Sequence, residues 1–353
     1  RAQAAVEKKH SIRGAVKELR AIERTEPTTP AMLTAAMQKL NPQVGAPAPV
    51  LAKTLQGGGD RADHRPRVVP RRPIAAPSGP LPSPLQFTAE QVVAKVRAAD
   101  CASSGGPTGH TYLHLRSWFT GVDSCSASLT AVLNLIMAGK VPPDIQDLLN
   151  AGRGVTIPKA GNGLRPIVVG HVLLRLCGSL SIKLSTGLVD SYFMGGSVKQ
   201  FGVGVANGCG LMAHAVEERM RRGGRHTITM SIDSKNAFNS WDRSVMWPTL
   251  QQRFPKLLSL LRLMYGKDGL VFFSNGEDTT TIRNNVGSRQ GCAFGSFLYC
   301  LALQPVLLQL QREFPDVLVL AYCDDINLIG EASRVVAAYK RCGQLLNEGM
   351  WRL

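Results

Sequence analysis

Three aspartates stand where predicted strands end and where carboxylates could act together. Asp324 and Asp325 interrupt the apolar run Leu318–Leu328, and Asp233 follows the strand-like segment Thr227–Ile232. Burying an unpaired carboxylate is costly, and a nearby cation would remove that penalty. If the strands are neighbours, the three carboxylates could hold two divalent ions roughly 3.5–4 Å apart, as in two-metal phosphoryl transfer. For the adjacent pair, the alternative is a polar hairpin turn exposed to water.

Oxygen ligands also indicate which metal such a site would take. Carboxylate oxygens are hard ligands, and hard ligands select Mg²⁺ over softer metals, with Mn²⁺ as a possible substitute. His110 and His114 are four residues apart, but no cysteine or carboxylate pattern completes a zinc site around them. We therefore interpret this histidine pair as structural.

Short strands and helices must position these aspartates. The strands predicted to form hairpins are 155–158 with 166–169, 270–273 with 279–282, and 317–322 with 326–329. Asn275-Gly276 is a strong turn signal for the second hairpin. Thr88 and Gln91 fit a capping box, so folded structure is expected to begin at Phe87. The pattern predicts an α+β fold with helices packed on a small antiparallel sheet.

Composition limits the partners and the compartment. The formal net charge of +16 favours a polyanionic partner, either nucleic acid or an anionic membrane surface. The longest apolar run, Phe297–Leu310, is interrupted by Gln304 and Pro305, so no membrane span is expected. Eight cysteines without a CxxC pair favour a reduced, intracellular protein over a secreted one.

The first 86 residues differ in character from the rest. They hold 14 Lys and Arg against 6 Asp and Glu, and prolines recur from Pro42 to Pro84 around Gly57-Gly58-Gly59. Proline removes backbone donors and glycine adds chain entropy, so this basic segment is predicted to be a partly disordered linker. Its arginines could contact phosphates or only keep the segment soluble.

Four short patterns occur in a specific order along the chain. They are Ile157-Pro158-Lys159 with Arg165-Pro166-Ile167, Asp233 with Ala237-Phe238, Gly287-Ser288-Arg289-Gln290-Gly291, and Tyr322-Cys323-Asp324-Asp325. Each pattern is weak alone, but their order over residues 87–353 resembles the reverse transcriptases, and most of all the polymerase of non-LTR retrotransposons.

The resemblance implies roles for the charged residues. Asp233, Asp324 and Asp325 match the catalytic, metal-binding aspartates of that family. Lys159 and Arg165 match the residues that grip the incoming triphosphate, which an ammonium and a planar guanidinium can neutralise. An exposed basic turn is the alternative for the latter two.

The resemblance also implies roles for uncharged residues. Gln290 and Gly291 match the segment beside the incoming nucleotide, where glycine permits close backbone approach. Phe238 matches the aromatic gate that crowds a ribose 2′-hydroxyl, although a core phenylalanine is the alternative. Tyr322 would lie near the primer end, or serve as an ordinary strand aromatic. The stretch Gln200-Phe201-Gly202-Val203-Gly204 also resembles the family, without an assigned role.

The family fold is a right-hand polymerase. After the basic N-terminal segment at 1–86, which composition sets apart, the family fold implies fingers and their connection to the palm at 87–226 and a palm at 227–353. The family's thumb would lie beyond Leu353, so we expect it to be absent and the fragment to be weakly processive or inactive. Departures from the usual family residues occur at Gly295-Ser296, Cys323 and Asn239.

The resemblance implies primer extension with deoxynucleoside triphosphates on an RNA template, with RNA, a DNA primer and dNTPs as partners. A nuclear location is expected because such elements must reach chromosomal DNA. One alternative is an RNA-dependent RNA polymerase, which Phe238 disfavours. The other is an inactive retroelement remnant that only binds nucleic acid.

Overall fold

A computed structural model describes residues 76–77, 79–119, 124–159, 163–234, 236–274 and 279–350. The basic segment predicted at 1–86 lies almost wholly outside these residues, as do the tips of two hairpins at 160–162 and 275–278. The described helices are α1 (Ala89–Ala98), α2 (Tyr112–Ser117), α3 (Ser124–Met137), α4 (Pro143–Asn150), α5 (Val172–Leu184), α6 (Thr186–Met194), α7 (Gly208–Arg222), α8 (Met246–Arg253), α9 (Leu258–Tyr265), α10 (Gly295–Glu313) and α11 (Ala332–Gly349).

The described strands form two small four-stranded sheets. The strands are β1 (Gly152–Lys159), β2 (Gly163–Gly170), β3 (Lys199–Gln200), β4 (Thr227–Ile232), β5 (Gly269–Ser274), β6 (Thr279–Asn284), β7 (Leu318–Tyr322) and β8 (Asp325–Glu331). Sheet I has the order β2-β1-β5-β6, and sheet II has the order β3-β7-β8-β4. Helices and sheets therefore mix, as the sequence predicted.

The first helix begins where the capping residues predicted. The Thr88 hydroxyl accepts a hydrogen bond from the Gln91 N–H at 3.3 Å, and the Gln91 side chain accepts one from the Thr88 N–H at 3.1 Å. This reciprocal pair satisfies two amide donors that a helix start leaves unpaired. Val92 and Val96 follow at helical spacing, and both are fully buried.

Sheet I joins two hairpins. β1 pairs with β2 and β5 pairs with β6, both antiparallel, as predicted. A short parallel pairing of Gly152 with Val271 and Arg153 with Phe272 connects them. Gly154 permits this join, because a Cβ atom there would lie 2.4 Å from the ring of Phe273.

Sheet II separates two sets of side chains by strand alternation. Ile326 and Leu328 of β8 are fully buried on one face, where α11 packs against β4 and β8. The opposite face carries Ile329, which packs with Met212 of α7 in a smaller cluster. The long helix α10 is buried around most of its circumference and lies in the main core, with Pro305 at an exposed position.

One expectation needs revision. The sequence predicted one small antiparallel sheet, whereas the described residues form two sheets, and each of these contains one parallel pairing. These pairings join segments more than 100 residues apart, so local periodicity does not encode them. Both sheets also draw strands from either side of residue 226, and the domain division predicted there stays a prediction.

Within the described residues, no single helix is both long and apolar enough to cross a bilayer. The pair α5 and α6, bent by 64°, passes the same length and composition test only when the two helices are counted together.

Candidate active site

The turn between β7 and β8 carries the adjacent aspartates. Tyr322 pairs with Asp325, so Cys323 and Asp324 form a two-residue hairpin turn. Cys323 has φ of 53°, in the left-handed region. Two-residue hairpins need a positive φ, which costs a residue with a side chain about 1–3 kcal/mol. Surrounding contacts must therefore stabilise this turn.

Strand pairing brings the third aspartate to the same end of sheet II. β4 and β8 are antiparallel, and Ile232 pairs with Ile326. Asp233 follows Ile232, and Asp325 precedes Ile326, so extending the register by one residue places Asp233 opposite Asp325. The condition set from the sequence, that these two strands are neighbours, is therefore met.

The two facing aspartates also share one face of the sheet. Ser231 and Asn327 pair directly, and the Ser231 hydroxyl donates to Asn327 Oδ1 at 2.7 Å. Asp233 lies two residues after Ser231, and Asp325 lies two residues before Asn327. Side chains two residues apart in a strand point to the same face, so both aspartates share the face of this pair. Both carboxylates are exposed, while Asp324 is half-buried.

The donor set suits a hard divalent cation. Among the residues that the structure describes, no three His, Cys, Asp or Glu side chains already stand close enough to hold a metal ion. Mg²⁺ commonly uses one or two carboxylates and completes its shell with water and substrate phosphate oxygens. Two exposed carboxylates at one sheet end, with a third on the adjoining turn, fit that requirement.

Phe238 packs against Tyr299, an aromatic side chain near Asp324. It belongs to a 3₁₀ turn, Ala237–Asn239, that begins four residues after Asp233. Its half-buried ring stacks on Tyr299 of α10, with centroids 4.9 Å apart and planes inclined by 27°. Burial, and then the nearby Asp324, raise the pKa of Tyr299. Tyr299 thus contacts Phe238 and lies within electrostatic range of Asp324.

The Gly287–Gly291 loop is fastened to the Phe238 turn. Ser288 donates its N–H to the Phe238 carbonyl at 2.7 Å, and Gly287 donates to the Trp241 carbonyl at 2.8 Å. Gly287 has φ of 62°, and a Cβ there would lie 2.4 Å from the Phe238 oxygen. Only glycine fits this position without moving Phe238.

Replacing Gly287 by Ala is therefore expected to lower the free energy of unfolding by about 2–4 kcal/mol, from backbone strain and steric overlap. Urea unfolding measures this. Gly187→Ala is the control, because Gly187 lies in α6 with open space around its Cβ position. That change is expected to be neutral or stabilising by up to about 1 kcal/mol. Equal stability of the two variants would contradict the steric argument.

Arg243 bonds to the backbone of the Gly287–Gly291 loop and of the residues just before it. Its buried guanidinium donates from Nε to the Gly287 carbonyl at 2.8 Å and from Nη1 to the Asn284 carbonyl at 3.1 Å, above the ring of Tyr265. Burial, with Arg289 nearby, lowers the pKa of Arg243 to about 9. The loop therefore depends on a buried cation that the sequence patterns did not reveal.

The other end of the loop touches sheet I. The Gln290 carbonyl accepts the Val168 N–H at 2.7 Å. Gly291 has φ of 104°, and a Cβ there would lie 2.7 Å from the Val168 oxygen. The structure thus brings Gln290 and Gly291 against β2, the strand that also carries Arg165.

The remaining predicted residues lie around these contacts. Arg165 is exposed on β2, opposite Ile157. Lys159 ends β1, and its side chain lies outside the described part of the structure. Tyr322 is half-buried beside the small cluster that includes Phe201, so its packing role is visible and its primer role stays a prediction.

Three positions that contact the site had no assigned role from sequence. They are Gln200, Arg243 and Tyr299. Gln200 fell inside a stretch noted only for its resemblance, and the other two had no local pattern. Their contacts join segments 41 to 123 residues apart, so spacing along the chain carries no signal for them.

Comparison with known families decides the class of the protein. The family model described as reverse transcriptase (RNA-dependent DNA polymerase) matches residues 157–350, more than half of the chain. The chain belongs to the reverse transcriptase family. The match runs from the last three residues of β1 of this reverse transcriptase to the residue after α11, and includes β2, the β5–β6 hairpin and the aspartate turn.

A curated relative agrees with this assignment. The Transposon TX1 uncharacterized 149 kDa protein of Xenopus laevis is 30% identical over an alignment of 122 residues, and the match covers 31% of this reverse transcriptase and 9% of the relative. The chain thus spans less than a tenth of that protein. The predicted resemblance to a transposon reverse transcriptase is confirmed, and the family is one of RNA-dependent DNA polymerases.

Proposed function

We propose that this reverse transcriptase extends a DNA primer with deoxynucleoside triphosphates on an RNA template, using Mg²⁺ held by Asp233, Asp324 and Asp325. The observation that carries the proposal is the register of β4, β7 and β8, which brings these carboxylates to one end of sheet II. Polymerases of this family generally use divalent metal ions, and the donor set here suits them.

The aspartates would supply negative charge and little else to the chemistry. When bound, two ions lower the pKa of the primer 3′-hydroxyl and neutralise the leaving pyrophosphate. Asp233 and Asp325 face solvent, where a primer end and a triphosphate have access, while the half-buried Asp324 is held by its turn. The protein then contributes position and electrostatics rather than covalent catalysis.

The β1–β2 hairpin of sheet I would belong to the fingers, and the aspartate end of sheet II would belong to the palm. In this assignment the β1–β2 hairpin presents Lys159 and Arg165 to the triphosphate. Gln290 and Gly291 lie against β2, because the missing Cβ at Gly291 lets the loop backbone approach the Val168 carbonyl closely. The loop between the sheets would therefore form the floor of the nucleotide site.

Phe238 would select the sugar. Its ring is supported by Tyr299, and its backbone carbonyl is held by Ser288, so its position is restricted on two sides. A ring fixed beside the metal carboxylates would exclude a ribose 2′-hydroxyl by steric overlap. This favours a DNA polymerase over an RNA polymerase.

Phosphate contacts would hold the template and the primer. The excess of basic residues supports backbone binding that does not depend on base sequence, with affinity that falls as salt concentration rises. The same proposal includes a nuclear location, because the DNA copy must reach chromosomal DNA to be inserted there.

Single-nucleotide incorporation tests the proposal. The chain is mixed with an RNA template, a labelled DNA primer, Mg²⁺ and either dNTPs or rNTPs. We expect template-directed addition of the matching dNTP, dependence on Mg²⁺, and little addition of rNTPs. RNA binding without incorporation would instead support the inactive remnant.

A further inference from the structure

The turn that carries Asp324 is held by one buried side chain from a distant segment. Gln200 ends β3, which pairs with β7 at Ala321, and its side chain is fully buried. Its Oε1 accepts the N–H of Cys323 at 2.8 Å, and its Nε2 donates to the Cys323 carbonyl at 3.4 Å. One amide therefore pairs both backbone groups of the residue that precedes Asp324.

Those two backbone groups need a partner of this kind. Cys323 is buried and left-handed at a hairpin turn, so its N–H and carbonyl leave the strand ladder. Buried backbone groups without partners are costly. A primary amide offers both a donor and an acceptor, which the similarly sized Glu and Met side chains do not.

The backbone beside Gln200 is adapted to the same contact. The Gly202 N–H donates to Gln200 Oε1 at 3.1 Å, which fixes the amide orientation. A Cβ at Gly202 would lie 2.4 Å from the Cys323 nitrogen and 2.5 Å from its Sγ. The Gln-x-Gly spacing thus lets one strand end approach the turn closely enough for the amide to reach it.

We propose that Gln200 is a positioning residue that fixes the Cys323 backbone and thereby orients Asp324 and Asp325 toward the metal ions. The inference rests on the proposed metal role of these aspartates. It assigns a task to the 200–204 stretch, which the sequence resemblance left without one. Groups that orient metal ligands typically change metal affinity by about 10–100-fold when they are removed.

A second glutamine, Gln311, provides a matched control because it bonds to the backbone at the start of β7, whereas Gln200 bonds to the backbone at the end of β7. Gln311 donates from Nε2 to the carbonyls of Phe314 and Val317 at 3.0 and 2.8 Å, and accepts the Val319 N–H at 3.2 Å. It therefore holds the start of β7 by the same chemistry that Gln200 uses at its end. Loss of either glutamine removes a side-chain amide that hydrogen-bonds to backbone groups. Of the two, only Gln200 contacts the aspartate turn.

Two substitutions at each position make the comparison. Leucine removes the amide at similar size, and asparagine keeps an amide that is one methylene too short, so a folded variant is obtained even if leucine prevents folding. The first measurement is binding of Mn²⁺ to the free protein, followed by electron paramagnetic resonance. The second is the Mg²⁺ concentration at half-maximal nucleotide incorporation. Urea unfolding records the stability of every variant.

We expect the Gln200 variants to bind Mn²⁺ about tenfold more weakly and to need correspondingly more Mg²⁺. Gln311 variants of similar stability are expected to match the wild type within about twofold. Equal metal binding by Gln200 variants and wild type would overturn the inference, as would equal losses at both glutamines.

A variant without the Asp324 carboxylate separates this inference from the function it rests on. If Asp324→Asn binds Mn²⁺ as tightly as the wild type, the proposed metal site is wrong and the inference falls with it. If Asp324→Asn loses the metal and the Gln200 variants keep it, the metal site stands and only the positioning role is wrong. Each result is read from binding alone.

Discussion

Replacing Asp324 by Asn is expected to lower the rate of nucleotide incorporation by at least about a hundredfold while RNA affinity changes little. The amide has nearly the same shape as the carboxylate, so the two-residue turn should persist, but the negative charge is lost. Asp324 is half-buried beside Tyr299, where a charge is screened less than it would be in open solvent.

Primer extension under single-turnover conditions measures this loss, and an RNA filter-binding assay measures affinity. Asp316→Asn provides the control. Asp316 is exposed just before the start of β7, where it forms an ion pair with Arg334 at 2.7 Å. That variant should incorporate nucleotides within about twofold of the wild type, since exposed ion pairs contribute little. Activity of Asp324→Asn equal to that of Asp316→Asn would rule out the metal role.

Replacing Phe238 by Ala is expected to reduce the preference for dNTPs over rNTPs by about 10–100-fold. The effect should come from faster use of rNTPs, because removal of the ring opens space for a 2′-hydroxyl and leaves the aspartates in place. Incorporation of one dNTP and of the matching rNTP, each as kcat/KM, gives the ratio directly.

The control for this prediction is another half-buried phenylalanine, between the end of α10 and the start of β7. Phe314 lies under the Arg334 guanidinium at 5.0 Å, just before β7 begins, at the end of the strand opposite the aspartate turn. Phe314→Ala should lower stability but leave the sugar preference unchanged. If both variants keep the wild-type preference, Phe238 is a core residue and the sugar is selected elsewhere.

Local patterns predicted much of the site because its parts are local. The alternation in Thr227–Ile232 and the apolar residues around Asp324 each specify a strand. Because an aspartate stands at the end of each strand, the aspartates come to the same end of the sheet once the strands are neighbours. The capping residues Thr88 and Gln91 likewise act within one helical turn. Such features depend on residues a few positions apart.

The supports of the site depend on contacts that no local pattern contains. Gln200 reaches Cys323 across 123 residues, and Arg243 reaches Asn284 across 41. The join between β1 and β5 depends on Gly154 fitting over Phe273. Whether a buried polar group finds its partner is decided by tertiary packing, so these roles become visible only with the fold.

The loop from Gly287 to Gly291 has a mechanical consequence. It is bonded to the Phe238 turn at one end and to β2 at the other, and each end is a glycine with positive φ that accepts no side chain. Five residues span at most roughly 17 Å even when fully extended. The loop is therefore a short tether that keeps the β1–β2 hairpin and the Phe238 turn from moving far apart. If Phe238 selects the sugar as proposed, a movement of the hairpin toward a nucleotide would also move that ring.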